Sequence, residues 1–530
     1  MSQAQAFFSH PEGWVPDLTG ADLGGVPELS ALLADGVRAG GAGPAISDDE
    51  DTLTYPELDR AAAAVQRDLR AAGVRPGDTV VIHCRLGRWA IVAMLGVLRT
   101  GAQYVPVDTN FPYERRARVI AGSHARVALV EPEAAGEPLP GDPAVERILP
   151  VSADPGRWPD RPAPAEDRDP RQPVYTLFTS GSSGTPKGVV VSRHGLACST
   201  QARRVYFGGQ DPAVYLLCTS ISFDMSVGPI YHALATGGHL VIPTPVVVDT
   251  EAILDACADH GGTFISIIPS LYRVLIDSGR SEDLATLRVV IVAGEPCPPA
   301  LVRDHAAVLP RARLHNEYGP TECTVWTTMH RCRPSDADAP DVPIGVPGPG
   351  TTAYVRTPGG PAPAGVRGEL WLGGPQVALG YSTATNDGDA VTDLENRLYR
   401  TGDHVWYDDE GLLHYAGRID GQLKLGGLRI ELQEIENTLS AALGGRWCAV
   451  GVARRDGIPA ALVGFVIGGL GDVSADHVRA RMRESLAHAA VPGAFSALER
   501  MPTLANGKLD RHTLDRMAAE IAGIVAGVAR

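Results

Sequence analysis

Residues Thr179 to Gly188 read Thr-Ser-Gly-Ser-Ser-Gly-Thr-Pro-Lys-Gly and follow directly on an apolar stretch, Val174–Thr179. Glycines at Gly181 and Gly184 let the backbone bend until successive amide N–H groups converge. The hydroxyls of Thr179, Ser180, Ser182, Ser183 and Thr185 add donors, and Lys187 adds a cation. That set suits a polyphosphate. The ATPase phosphate loop ends Gly-Lys-Ser/Thr, whereas here Pro186 precedes Lys187 and Gly188 follows, so its magnesium-binding hydroxyl is missing. A Ser/Gly linker would need neither Pro-Lys-Gly nor a preceding buried strand.

Lysine is scarce enough to be informative. Of 47 basic residues three are lysines (Lys187, Lys424 and Lys508), and 47 − 3 leaves 44 arginines. A codon bias toward arginine accounts for the bulk. A position that keeps lysine in such a chain is a candidate for one that needs a compact ammonium rather than a planar guanidinium.

The elements that must position these residues follow from pattern. At 530 residues the chain calls for two or more domains. Its net charge of −15 argues against nucleic acid or an anionic membrane as partner. No basic-then-apolar leader and no apolar run of roughly 20 residues is present. Eight scattered cysteines without a Cys-x-x-Cys pair suit a reducing cytoplasm.

Helices are predicted over Leu53–Gly73 and Arg88–Arg99, with strands at Thr79–His83 and Tyr104–Val107. The Pro-, Ala- and acid-rich stretch Glu131–Pro173 reads as a surface connection. Strands at Val174–Thr179, Val214–Cys218, His239–Ile242, Thr263–Ile268 and Leu287–Val292 then alternate with helices such as Thr250–His260 and Pro299–Leu309. The fold class is therefore α/β, with parallel-rich sheets covered on both faces and ligands beyond the carboxyl ends of the strands. A Pro/Gly-rich meander, Arg333–Gly365, leads to a strand at Gly368–Gly373 and marks a small β-rich subdomain. From about Gly421 the pattern restarts: a helix over Glu431–Leu443, strands at Cys448–Ala453 and Ala460–Ile467, and a helix over Ser474–His488. Residues 1–419 are read as the core and 420–530 as a small mobile α+β domain.

Seven segments in order carry a resemblance to the adenylate-forming enzymes, and within them to the adenylation domains of nonribosomal peptide synthetases. They are the Thr179–Gly188 loop, Phe223-Asp224-Met225-Ser226, Asn316-Glu317-Tyr318-Gly319-Pro320-Thr321-Glu322, Gly368-Glu369-Leu370-Trp371, Tyr399-Arg400-Thr401-Gly402-Asp403, Gly417-Arg418-Ile419-Asp420-Gly421-Gln422-Leu423-Lys424 and Asn506-Gly507-Lys508-Leu509-Asp510-Arg511. Leu379, Gly426 and Gln433 depart from the family's usual residues.

The resemblance implies a two-step ligase. ATP converts a poorly reactive carboxylate to an acyl-adenylate, and a thiol then takes the acyl group. The first step brings anions together and needs cations and in-line placement. The resemblance gives the β- and γ-phosphates to Thr179–Lys187, Mg²⁺ to Glu322 and the α-phosphate to Thr321. It stacks adenine on Tyr318 beside Gly319, with Gly294, Glu295, Pro296 and Asn316 lining the base pocket. Asp403 takes the ribose hydroxyls, with Tyr415 and Arg418 nearby. Lys508 serves adenylation, Lys424 serves thiol transfer, and Asp420 is the hinge between the two states. The acceptor is the phosphopantetheine of a carrier protein supplied in trans to a free-standing enzyme. Many members of the family also need a small MbtH-like activator.

The substrate pocket implied by resemblance is Asp224, Met225, Gly228, Ser266, Ile291, Ala293, Glu317, Val325, Trp326 and Lys508. Asp224 would pair with the substrate's α-ammonium, or alternatively cap a helix over Met225–Ala235. Met225 and Trp326 fill volume, which points to a small α-amino acid. Ser266 and Glu317 make the wall polar and admit a hydroxyl, thiol or amine. Glu317 would favour a cationic substrate if it lies inside the pocket. Two other readings stay open: an acyl- or aryl-CoA ligase, which has no use for a carboxylate at Asp224, and a catalytically silent scaffold for a carrier protein, which has no use for Glu322 and Lys508.

Overall fold

A computed structural model describes residues 7–9, 14–141, 144–163, 169–179, 186–208, 213–244, 249–382, 396–419, 423–425, 428–430, 432–455, 458–502 and 509–528. The chain groups into two compact units. One is dominated by residues up to Ile419; the other is built mainly from Asp420–Arg530.

Among the described residues the larger unit holds three sheets. In the first, nine strands run in the order Val346–Pro347, Thr328–Arg331, Arg313–Tyr318, Val289–Ala293, Phe264–Ile267, Val214–Leu217, His239–Val241, Pro44–Ser47 and Thr52–Thr54. The six strands from Arg313–Tyr318 to Pro44–Ser47 pair in parallel. These strands read as near-continuous apolar runs because both of their faces are buried. Helices Thr250–His260, Pro269–Asp277 and Pro299–Val308 cover one face, closing a core around Ile265, Ile267, Val290, Val292 and Leu314. The other face packs on Arg193–Phe207 and Val227–Thr236, burying Tyr215, Phe264 and Ile291.

The second sheet orders Gly380–Tyr381, Lys187–Ser192, Pro173–Thr179, Gln103–Asp108, Thr79–Cys84, Val127–Val130 and Arg147–Pro150. The third is antiparallel and contains Thr352–Thr357, Gly368–Gly373, Arg397–Tyr407 and Leu413–Arg418.

Several boundaries differ from the sequence pattern. The helix expected from Leu53 starts at Tyr55, because Thr54 and Glu57 form a capping box and Thr52–Thr54 is drawn into the sheet. The stretch Glu131–Pro173 is more than a surface connection: Arg147–Pro150 adds an edge strand alongside Val127–Val130, and Trp158 is buried. Ahead of the first helix expected from the sequence, the chain also forms a helix at Leu29–Gly40. The helix expected over Ser474–His488 spans Ala475–Arg483 only.

In the smaller unit, Cys448–Arg455 and Ile458–Ile467 form an antiparallel pair, and Ala494–Leu498 joins in parallel. Helix Leu432–Ala442 packs Ile435 and Leu439 against Val450 and Val466. Its buried Glu436 accepts the Val450 N–H at 2.8 Å and pairs with Arg511, so this buried acid is satisfied. Among the described residues no helix is long and apolar enough to cross a membrane.

Candidate active site

Two neighbouring antiparallel strands create the first cluster. Asp403 on Arg397–Tyr407 lies directly across from Arg418 on Leu413–Arg418. Register alone therefore brings the carboxylate and guanidinium together, at 3.1 Å. Arg418 also donates to the Thr401 carbonyl at 2.9 Å, and Thr401 Oγ1 accepts the Asp403 N–H at 3.0 Å. The Tyr318 hydroxyl donates to the second carboxylate oxygen of Asp403. Burial, and then the Asp403 charge beside it, push the Tyr318 phenol well above its usual range, so it stays a donor. Tyr415 stands 6.3 Å from the Tyr318 ring.

The loop Gly294-Glu295-Pro296 follows the strand Val289–Ala293, and Glu295 accepts the Ser270 N–H at 3.1 Å. Asn316 donates to the Pro343 carbonyl at 2.8 Å. Gly319 admits no side chain: a Cβ there would lie 2.3 Å from the Val325 carbonyl oxygen.

Glu322 sits in a single helical turn, Thr321–Cys323, and is 1% exposed. Tyr381 donates to it at 2.8 Å, and the Lys187 ammonium lies 5.9 Å from the Tyr381 ring centre. A buried carboxylate near a lysine suits a hard cation that takes one protein oxygen and completes its shell with phosphate and water, which is how Mg²⁺ behaves. The residues present fit that ion. Thr179 ends its strand; Ser180, Gly181, Ser182, Ser183, Gly184 and Thr185 lie outside the described residues.

The second cluster is built by sheet parity. Ser266 pairs with Ile291, and Ala293 pairs with Glu317. Side chains two apart on a strand share a face, so all four project from one face of the first sheet. Asp224 opens a helical turn, Asp224–Ser226, that also holds Met225. The cap position of the following helix is Ser226, and the Asp224 carboxylate instead accepts from Thr321 Oγ1 at 2.6 Å. Thr324 and Val325 hold φ angles of 54° and 80°. A β-branched residue at positive φ is strained, and strain persists where the surroundings hold it in place. Here Thr324 is tied by Ser199 and Gln376.

One residue of this cluster is absent from the sequence-based set. Arg203, on the helix Arg193–Phe207, donates from Nη2 to both oxygens of Glu317 at 2.9 and 2.7 Å, with side chains 1% and 2% exposed. Glu317 is thus already paired, which corrects the expectation that it would favour a cationic substrate. Burial pushes its carboxyl up, and Arg203 opposes that shift. At Gly228 an added Cβ would lie 2.7 Å from Arg203 Nη2, so the space beside this position is taken by the guanidinium. Trp326 stacks 5.2 Å from the same group. The signal in the sequence was available. Leu196, Thr200, Arg203 and Phe207 form one buried stripe with an arginine in it. Tyr381 was likewise not anticipated.

Lys508 and Asp420 lie outside the described residues. Lys424 lies on the short strand Leu423–Leu425, paired in register with Arg429.

Residues 35–382 match the family model described as AMP-binding enzyme. The chain belongs to the AMP-binding enzyme family. It is 34% identical to phosphinothricin tripeptide synthetase PhsB of Streptomyces viridochromogenes, over 94% of this chain and 43% of that one. It spans less than half the length of that relative, and the isonitrile lipopeptide synthase of Streptomyces coeruleorubidus is covered to 35%, at 35% identity over 96% of this chain. Among solved structures, the amide bond synthetase McbA of Marinactinospora thermotolerans superposes with a TM-score of 0.81, 23% identity and coverage of 93% and 99%, which supports the shared fold. PA1221, a nonribosomal peptide synthetase protein containing adenylation and PCP domains, superposes with a TM-score of 0.78 at 27% identity, covering 94% of this chain and 85% of its own. The α/β class and the resemblance drawn from the seven segments therefore stand.

Proposed function

We propose that the protein activates an amino acid with ATP and passes it to the phosphopantetheine thiol of a carrier protein. A substrate carboxylate oxygen attacks the α-phosphorus, the bond to the bridging oxygen breaks, and pyrophosphate leaves with the electron pair. The thiol then attacks the acyl carbon, giving up its proton, and AMP leaves. The observation that carries this reading is the hydrogen bond between Thr321 and Asp224. It links a residue expected at the α-phosphate to one expected at the α-ammonium, so nucleotide and amino acid meet at one point. Asp224 is not spent on capping a helix, which favours an amine-bearing substrate over a plain acid destined for CoA.

Asp403 and Arg418 hold the ribose and Tyr318 stacks on the base; Lys187 and the Thr179–Thr185 loop orient the phosphates. Magnesium on Glu322 would neutralise phosphate charge as it develops. The relatives support the reading, since PhsB is named a tripeptide synthetase and PA1221 contains both adenylation and PCP domains. Lys508 serves the adenylation step and Lys424 the thiol transfer. Lys508→Ala abolishes pyrophosphate exchange yet leaves transfer from a supplied aminoacyl-adenylate largely intact, and Lys424→Ala does the reverse. Parallel loss of both half-reactions in both variants contradicts this division. Exchange of labelled pyrophosphate into ATP across a panel of amino acids tests the whole. A small polar amino acid gives the strongest signal; large aromatic substrates in first place overturn the assignment of substrate class.

A further inference from the structure

Arg203 is the residue around which the side-chain end of the pocket is organised. Three expected pocket positions converge on its guanidinium: Glu317 binds it, Gly228 makes room for it and Trp326 stacks on it. Yet the hydrogen bonding is incomplete. Both bonds to Glu317 come from one nitrogen, Nη2, while Nε and Nη1 are buried and have no partner among the described residues. Ser266 Oγ, on the sheet face that carries Glu317, is also buried without a partner among the described residues. Buried polar atoms are normally paired, and an arginine carries five N–H donors. Arg418, partly buried in the same unit, by contrast reaches both Asp403 and the Thr401 carbonyl.

Resting on the reading of this site as an amino-acid pocket, we infer that Arg203 reads the substrate's side chain and selects a short one ending in a neutral oxygen acceptor, a carboxamide above all. A carboxamide oxygen accepts from the free guanidinium nitrogens, and its NH₂ donates to Ser266 Oγ or Glu317. The arginine and Glu317 already cancel in charge, so a carboxylate side chain would leave one net negative charge in a buried site. An ammonium side chain would face the guanidinium as a like charge. An aliphatic one would leave the free donors unmatched, the kind of mismatch by which polar pockets reject apolar analogues. Trp326 and the guanidinium itself shorten the pocket, which sets the length near that of asparagine.

The test is amino-acid-dependent pyrophosphate exchange by the full chain with asparagine, aspartate, alanine, serine, leucine and lysine. Asparagine leads alanine and lysine by at least ~100-fold in kcat/KM. In Arg203→Met the asparagine-to-alanine ratio collapses toward one, mainly through KM for asparagine, while AMP affinity is retained. The double variant Arg203→Met/Glu317→Leu leaves no buried charge behind, guards against misfolding of the single variant, and shows the same collapse. Lysine or leucine leading in the parent protein overturns the inference. So does a uniform fall for all substrates with the ranking intact in both variants, which marks Arg203 as structural. Aspartate equalling asparagine removes the preference for a neutral side chain and overturns it in that form. Absence of exchange with every amino acid, though AMP binds, defeats the adenylation reading instead.

Discussion

Two guanidinium–carboxylate pairs of the candidate site, Asp403–Arg418 and Arg203–Glu317, are made in opposite ways. Asp403 and Arg418 face each other across adjacent strands, with the Thr401 carbonyl, the Thr401 hydroxyl and the Tyr318 phenol completing their bonds. Arg203 and Glu317 join a helix to a strand across 114 residues of chain, are almost fully buried, and leave polar atoms unmatched. On the proposed reading, the first pair is a platform preassembled for a nucleotide that is the same in every turnover. The second, on the same reading, is an incomplete polar lining that an entering side chain completes. A site for a constant partner can be satisfied in advance; a site that must discriminate keeps some of its valence open.

Stability measurements can break this contrast first. Glu317→Ala leaves a buried, uncompensated guanidinium and lowers unfolding free energy by roughly 3–5 kcal/mol. The double Arg203→Met/Glu317→Leu recovers most of that loss in the same urea titration. A loss below about 1 kcal/mol for the single variant would mean that Arg203 has a second route to compensation.

The nucleotide side responds in affinity rather than stability. Asp403→Asn keeps an acceptor for Tyr318 but removes the charge, and calorimetry with AMP should show binding weakened roughly 10- to 100-fold. Unfolding shifts less than in Glu317→Ala.

Acid sharpens the comparison. On the Arg203 side His232 is held down to about 3, by burial and then by the arginine charges near it. The unfolded chain takes its proton near 6.5 and the folded chain does not, so stability is lost as pH falls below 6.5. At pH 5 the loss from His232 is roughly 2 kcal/mol. His232→Leu flattens the stability profile between pH 6.5 and 5 by about 1.6 kcal/mol; an unchanged slope would place the acid sensitivity elsewhere. Smallest of all, Tyr318→Phe removes one hydroxyl from Asp403 and costs about 1 kcal/mol of stability. AMP affinity does not fall, because the ribose no longer shares Asp403 with the phenol.

The contrast also explains what could be read from sequence. Strands such as Phe264–Ile267 and Val289–Ala293 are buried on both faces and announce themselves as apolar runs. Arg147–Pro150 is an edge strand, largely exposed, and sits in a Pro- and acid-rich stretch, so its pattern is hidden. Asp403 and Arg418 belong to short motifs and were legible as a pair of suspects. Arg203 belongs to none. Only its place in the buried stripe Leu196–Thr200–Arg203–Phe207 betrays it, and which carboxylate it meets depends on how the helix docks on the sheet. That is a tertiary fact. Glu317 was legible as a pocket residue, but its charge could not be assigned a purpose until its partner was visible.

The central claim is that this protein forms an adenylate from an amino acid held by Asp224. Pyrophosphate exchange by Asp224→Asn, measured beside AMP affinity of the same variant, tests it most directly. The account predicts that exchange falls at least ~100-fold with the best amino acid substrate while AMP binding is unchanged. Full exchange by Asp224→Asn would contradict it, because the α-ammonium would then have no need of the carboxylate that links substrate to nucleotide.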